Sequence, residues 1–164
     1  MGHIGSYVWE LRKKVGTRQL LLPGAQVLVL RPDGTALLQR RADNGVWELP
    51  AGACEPGQSF SDTAAAELFE ETGIRVSPLD LTAFASLSDP DLHQLEYPNG
   101  DRVHAFALCF CLQGWEGRVT PEESEVLEIG FFPLDRVPAP THPPTLEVLR
   151  LYKEYARTGA FQAR

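Results

Sequence analysis

The sequence predicts one α/β domain in which helices pack on both faces of a mixed β-sheet, an α/β/α sandwich. Three observations lead there. The segments alternate as helix, strands, helix, strands, helix, and no repeat or low-complexity linker interrupts them. Of the 164 residues, 43% are hydrophobic and 23% charged, an ordinary globular balance. A chain of this length buries a sizeable core, so residues 1–164 read as a single domain.

Each element has its own signal. Ile4, Val8, Leu11 and Val15 recur at helical spacing, with Arg12, Lys13 and Lys14 near the end and Gly16 as a stop. Residues 1–16 are therefore expected to form an amphipathic helix covering one edge of the core. GAQVLVLR (24–31) and TALLQRR (35–41) read as two strands joined by the turn Pro32-Asp33-Gly34. VWELPAG then enters a glycine-bearing loop. Ser59 opens the next helix, with Asp62 three residues on as a shortened capping box, and Gly73 ends it where a left-handed residue is wanted. Strands follow near 79–87 and 102–112, with Asn99-Gly100 predicting a second hairpin between apolar flanks. A further strand occupies roughly 126–132. Pro138, Pro140, Pro143 and Pro144 break the chain before a last helix over 145–158, where Leu146, Leu149 and Tyr152 repeat in three-residue steps.

Charge and cysteines narrow the function classes. The formal net charge of -7 argues against non-specific binding to nucleic acid or to an anionic membrane. An anionic substrate would need a bound cation to approach such a protein. Cys54, Cys109 and Cys111 form neither a metal-ligand spacing nor a disulfide framework. Cys109 and Cys111, two apart in AFALCFCL, face one side of a strand as small buried residues. No apolar run reaches membrane-spanning length, and the expected location is the cytoplasm. The start MGHIGS fits the loose N-myristoylation pattern, with no polybasic run to reinforce it.

The chemistry concentrates in AAAELFEETG (64–73). On a helix, Glu67, Glu70 and Glu71 share one face, where like charges three and four residues apart destabilise each other. A solvated acidic face is one reading. The other is a site for a hard divalent cation, which takes oxygen ligands and would sit between the charges.

Extended leftward, LPAGACEPGQSFSDTAAAELFEETGI (49–74) resembles the signature of the Nudix hydrolases. That box is a glycine, five residues, a glutamate, seven residues, then R-E-U-x-E-E-x-G-U, with U a bulky aliphatic residue. Gly52 fits the first position, and Glu67, Leu68, Glu70, Glu71, Gly73 and Ile74 fit the tail. LLQRR, VWELPAG and EIGFFPLDRVP extend the resemblance over most of 24–138. Two positions depart: Gln58 stands for the first glutamate and Ala66 for the arginine, so an acid and a base are lost together.

The resemblance implies a Nudix-type α/β/α sandwich and hydrolysis of a phosphoanhydride using Mg2+ or Mn2+. It makes Glu70 and Glu71 the principal metal ligands, Glu67 a ligand or the group orienting the attacking water, and the Ala51 carbonyl a further ligand. Within 122–125, Glu122, Glu123 or Glu125 should add one catalytic carboxylate, Glu125 being preferred, and Glu55 is a candidate for metal contact through water. Arg40 and Arg41, ahead of the loop, are candidates for substrate phosphate, and the stretch 88–101 for the substrate pocket. Trp47 reads as core, and the four histidines as incidental, with His104 structural. LPAG favours ADP-ribose or a nucleotide sugar over a nucleoside triphosphate. The expected partner is a small nucleotide, bound by a monomer or homodimer. The rival reading is a catalytically silent nucleotide sensor with the same fold.

Overall fold

The computed structural model describes residues 5–96, 99–122 and 124–164. Helix α1 (Tyr7–Val15) is capped by Ser6, whose hydroxyl accepts the Trp9 N–H; Ile4, expected within it, lies outside the described residues. Strands β1 (Leu20–Val29), β2 (Thr35–Arg41), β3 (Trp47–Glu48) and β4 (Ala51–Ala53) lead into helix α2 (Phe60–Thr72). A 3-10 turn over Pro78–Asp80 precedes β5 (Thr82–Leu87) and the single turn α3 (Pro90–His93). Then come β6 (Gln94–Glu96), β7 (Arg102–Leu112), β8 (Val126–Pro133), α4 (Pro143–Thr158) and β9 (Gln162–Ala163). Among the described residues no helix is long and apolar enough to cross a membrane.

The strands form two sheets. One runs β4-β1-β7-β5-β9, with β6 also on β7; the other is β3-β2-β8. The first is mixed: β1 and β7 pair in parallel from Leu20↔Val103 to Val29↔Leu112, while β4 is antiparallel to β1 and β5 to β7. The turn at 32–34 forms, with the Arg31 N–H donating to the Thr35 carbonyl and a bridge at Leu30↔Ala36. Beyond that bridge β1 and β2 separate into different sheets. Each strand has only two edges, and those of β1 are taken by β4 and β7. The second hairpin is also present, β6 folding back on β7 from Gln94↔His104 to Glu96↔Arg102.

Alternation along β1 sends side chains to two cores. Ala25, Val27 and Val29 meet Ala64 and Leu68 of α2. Leu28 and Leu30 join Val148, Leu149, Leu151 and Tyr152 of α4, together with Cys109 and Cys111. Helices thus cover both faces, as expected. Trp47 is buried and meets the Phe132 ring edge-on at 5.1 Å.

In α4 the three-residue repeat matches the buried stripe at Leu149 and Tyr152 but not at Leu146. Leu146 is 48% exposed, and Thr145, Val148, Leu149 and Tyr152 face inward. A helix turns every 3.6 residues, so repeated steps of three drift around it, whereas steps of three and four stay on one side.

Candidate active site

Helix α2 is fixed at both ends. The Ser59 hydroxyl accepts the Asp62 N–H, and the Asp62 carboxylate accepts the Ser59 N–H, completing the capping box. Gly73 is left-handed at φ 73°, and its N–H returns to the Phe69 carbonyl. Gln58, at the first departure, keeps an acceptor role: its Oε1 receives the Glu55 N–H at 3.1 Å and the Thr63 hydroxyl at 3.0 Å.

With the helix so placed, Glu67, Glu70 and Glu71 all line one cavity of about 420 Å³, together with Ala51, Gly52, Glu55, Gln58, Ala66 and Glu125. Glu71 is buried, and its Oε2 accepts the Ala51 N–H at 3.0 Å. Burial pushes its carboxyl well above the ordinary range, and the nearby charge of Glu48 pushes the same way. Glu67 is raised to about 7, first by burial and then by Glu70, Glu125 and Glu55. Gly52 makes room for it, since a Cβ at that position would stand 2.0 Å from the Glu67 Cδ.

The remaining expected residues divide. Arg41 lines the cavity, held by Asp43 through Nε–Oδ1 at 2.8 Å and Nη2–Oδ2 at 2.7 Å, and by Glu48 at 3.0 Å. Those partners raise its pKa, the Asp43 hydrogen bonds most of all. Arg40, one residue earlier and so on the other face of β2, is not among the lining residues; its Nε lies 3.9 Å from Glu128. Glu125 reaches the cavity, while Glu122 turns back to accept the Ser124 N–H and hydroxyl. Glu123 lies outside the described residues. The Glu55 carboxylate accepts the Tyr7 N–H, both oxygens at 3.0 Å. From the stretch 88–101, Asp101 lines this cavity, and His93 and Leu95 line a second, of about 190 Å³, that shares Leu22, Arg41, Glu48 and Gly52 with it.

Three residues not expected at the site, two of them within LLQRR and VWELPAG, belong to this neighbourhood. Glu48 is buried beside Arg41, and burial outweighs the arginine to raise its pKa. Gln39, paired with Glu48 across β2 and β3, lines the cavity and is 1% exposed. His142 Nδ1 stands 3.9 Å from Glu48, and burial lowers the ring to about 4, so it is neutral. Strand alternation was the available signal: with Trp47 in the core, Glu48 had to face the other way. His104, by contrast, bonds the Ser88 carbonyl at 2.7 Å, a structural role.

The donor set fits a divalent cation. Among the described residues no three His, Cys, Asp or Glu side chains are already drawn into a ligand cage. Mg2+ does not need one, because it retains waters and binds through one or two carboxylates plus substrate phosphates. Glu67 and Glu71 are two sheltered carboxylates whose charged forms are disfavoured, and a cation would relieve both.

Comparison with known proteins agrees with this geometry. A model of the NUDIX domain matches residues 20–152. A MutT-like protein of Streptomyces ambofaciens is 51% identical over 55 residues, 34% of this chain and 36% of that protein. A putative 8-oxo-dGTP diphosphatase of Bacillus subtilis is 44% identical over 50 residues, 30% of this chain and 34% of the relative. The chain thus spans about a third of the length of these relatives. Among solved structures, an ADP-ribose pyrophosphatase of Streptococcus suis superposes with a TM-score of 0.62 at 27% identity, covering 87% of this chain and 97% of that one. With Glu67, Glu70 and Glu71 on α2 and the family model matching residues 20–152, most of its length, the chain belongs to the Nudix family.

Proposed function

We propose that the protein hydrolyses a phosphoanhydride bond in a nucleoside diphosphate linked to a second moiety, using Mg2+ or Mn2+. The observation that carries this reading is the convergence of Glu67, Glu70 and Glu71 on one cavity that Gly52 also lines. A bound divalent cation there supplies neutralisation of the diphosphate and a water that is nucleophilic near neutral pH. The chain's own residues do the rest. Glu71, held by the Ala51 N–H, and Glu70 would hold the cation; Glu67 would join them or orient the attacking water; and Glu125, in the same cavity lining, would accept the proton that water releases. Arg41 is the candidate for a phosphate oxygen, though it must share its donors with Asp43 and Glu48.

ADP-ribose or a nucleotide sugar is the favoured substrate, supported by LPAG at 49–52 and by the Streptococcus suis neighbour. The Bacillus subtilis relative supports a nucleoside triphosphate as the second choice. Purified protein with Mg2+ should turn over one member of a panel of ADP-ribose, nucleotide sugars, dinucleoside polyphosphates and nucleoside triphosphates. Glu70→Gln and Glu71→Gln should each lower that rate by orders of magnitude in folded protein. No turnover across the panel would leave the silent nucleotide sensor as the better reading.

A further inference from the structure

Helix α1 precedes the residues that match the family, which begin at 20, yet it walls the cavity through Ser6, Val8 and Arg12. It is tied down at both ends. At its start, the Tyr7 N–H is one of the donors a helix leaves unpaired, and the Glu55 carboxylate accepts it with both oxygens at 3.0 Å. At its end, Arg12 donates to the carbonyls of Gly16 at 3.0 Å, Arg18 at 2.5 Å and Arg102 at 2.6 Å, and stands 3.6 Å from Asp101. The helix therefore runs from the acidic loop, where Glu55 bears on Glu67, to the start of β7.

The wall it presents differs from the acidic face of α2. Val8 is 4% exposed and joins Leu22 and Val103 in lining the cavity. Arg12 is committed to three carbonyls and Asp101, so this end supplies no uncommitted cation for a second phosphate. The Ser6 hydroxyl accepts the Trp9 N–H at 3.2 Å and retains its own hydrogen as a donor. An apolar wall with one hydroxyl suits an uncharged group with a flat apolar surface and a few polar edges.

We propose that α1 is a specificity wall against which the nucleoside of the substrate packs, with Val8 the residue in contact. Glu55 and Arg12 are positioning residues that hold it there, and Glu55 serves the helix rather than the metal. The inference rests on the hydrolase reading for the identity of the ligand.

The test combines Mn2+ titration, AMP and GMP binding, amide exchange of α1, and steady-state kinetics on whichever substrate is turned over. Glu55→Gln retains an acceptor for the Tyr7 N–H and should leave α1 protected, whereas Glu55→Ala should expose its amides. Both remove a charge that bears on Glu67 and should lower Mn2+ affinity by much less than tenfold; a loss of roughly tenfold or more in both, the size seen when a metal's supporting ligands are removed, would assign Glu55 to the metal and overturn the proposal. Val8→Phe should weaken nucleotide binding and raise KM by roughly tenfold, with much less effect on kcat. Val8→Thr, which keeps the shape, guards against misfolding of the larger variant and should shift binding in the same direction. Unchanged nucleotide affinity in both Val8 variants, or a parent protein that binds neither nucleotide, overturns the proposal. Intact binding with no turnover removes the hydrolase reading alone.

Discussion

Glu67 packs directly on Gly52: a Cβ added to the glycine would lie 2.0 Å from both Cδ and Oε1 of the carboxyl group. The two residues sit fifteen apart in the chain, on β4 and α2, and their contact sets where the carboxylate points. Backbone flexibility is not what the site asks of this glycine. It asks for the missing side chain.

Gly52→Ala should therefore push the Glu67 carboxylate out of place. Mn2+ affinity, measured by calorimetric titration, is expected to fall by roughly 10- to 100-fold, the range for lost supporting contacts around a metal. Wild-type affinity in this variant would show that Glu67 has room elsewhere and is not needed where it stands.

The contribution of Glu67 and Glu71 to metal-free stability should fall as pH rises, while that of His93 and His142, whose pKa values burial lowers, rises with pH below about 6.5. Glu67 and Glu71 both have folded pKa values raised by burial, so the folded protein binds their protons more tightly than the unfolded chain does. The contribution is fully present below the unfolded value, about 4.3, and is lost as pH climbs through the folded values, about 7 for Glu67. Each tenfold difference in proton affinity between the folded and unfolded chain is worth about 1.4 kcal/mol. A chain of this size loses about 2–4 °C of Tm per kcal/mol, so the fall in Tm should reach several degrees. Melting curves of the parent and of Glu67→Gln at pH 5, 6, 7 and 8 test this, because the difference between them cancels the opposite contribution of His93 and His142; saturating Mg2+ should restore the parent's Tm at the upper end. A Tm difference that does not vary across that range rejects the buried-carboxylate account.

The acidic stretch after β7 should contain one functional carboxylate. Glu125 lines the cavity and bears on Glu67, whereas Glu122 is engaged with Ser124. Glu125→Gln should lower kcat about 10²-fold or more, the usual size for a proton-transfer group, and Glu122→Gln should leave it nearly unaltered. The reverse ranking would move the role to Glu122.

Neighbouring arginines should behave differently. Arg41→Met removes a donor from the cavity and leaves Glu48 buried with its cation gone, so both kcat/KM and Tm should drop. Arg40→Met should change neither appreciably, because Arg40 lies outside the cavity lining, its Glu128 contact is long at 3.9 Å, and its buried Nε has no hydrogen bond to lose among the described residues. Equal losses in kcat/KM for the two variants would mean that the phosphate is read from outside the cavity.

The sequence by itself determined the features whose causes are local. Ser59 and Asp62 cap each other across three residues, Gly73 stops the helix in a left-handed turn, and Asn99-Gly100 brings β7 back along β6. The shared face of Glu67, Glu70 and Glu71 follows from helical pitch alone, which is why the candidate metal site was readable before any fold was known. Tertiary structure decided what depends on competition between distant segments. β1 leaves its hairpin partner because β7, more than seventy residues on, takes its free edge. Alternation states that Arg40 and Arg41 face opposite sides, but only the packing of β2 against β3 and β8 selects the side that meets the cavity. Glu48, Gln39 and His142 come from three separate segments and share no spacing, and α1 becomes a wall of the site only because Glu55 and Arg12 reach across to hold it. A residue's neighbours along a helix or strand are set by backbone geometry, whereas its neighbours across the fold are set by which surfaces bury best together.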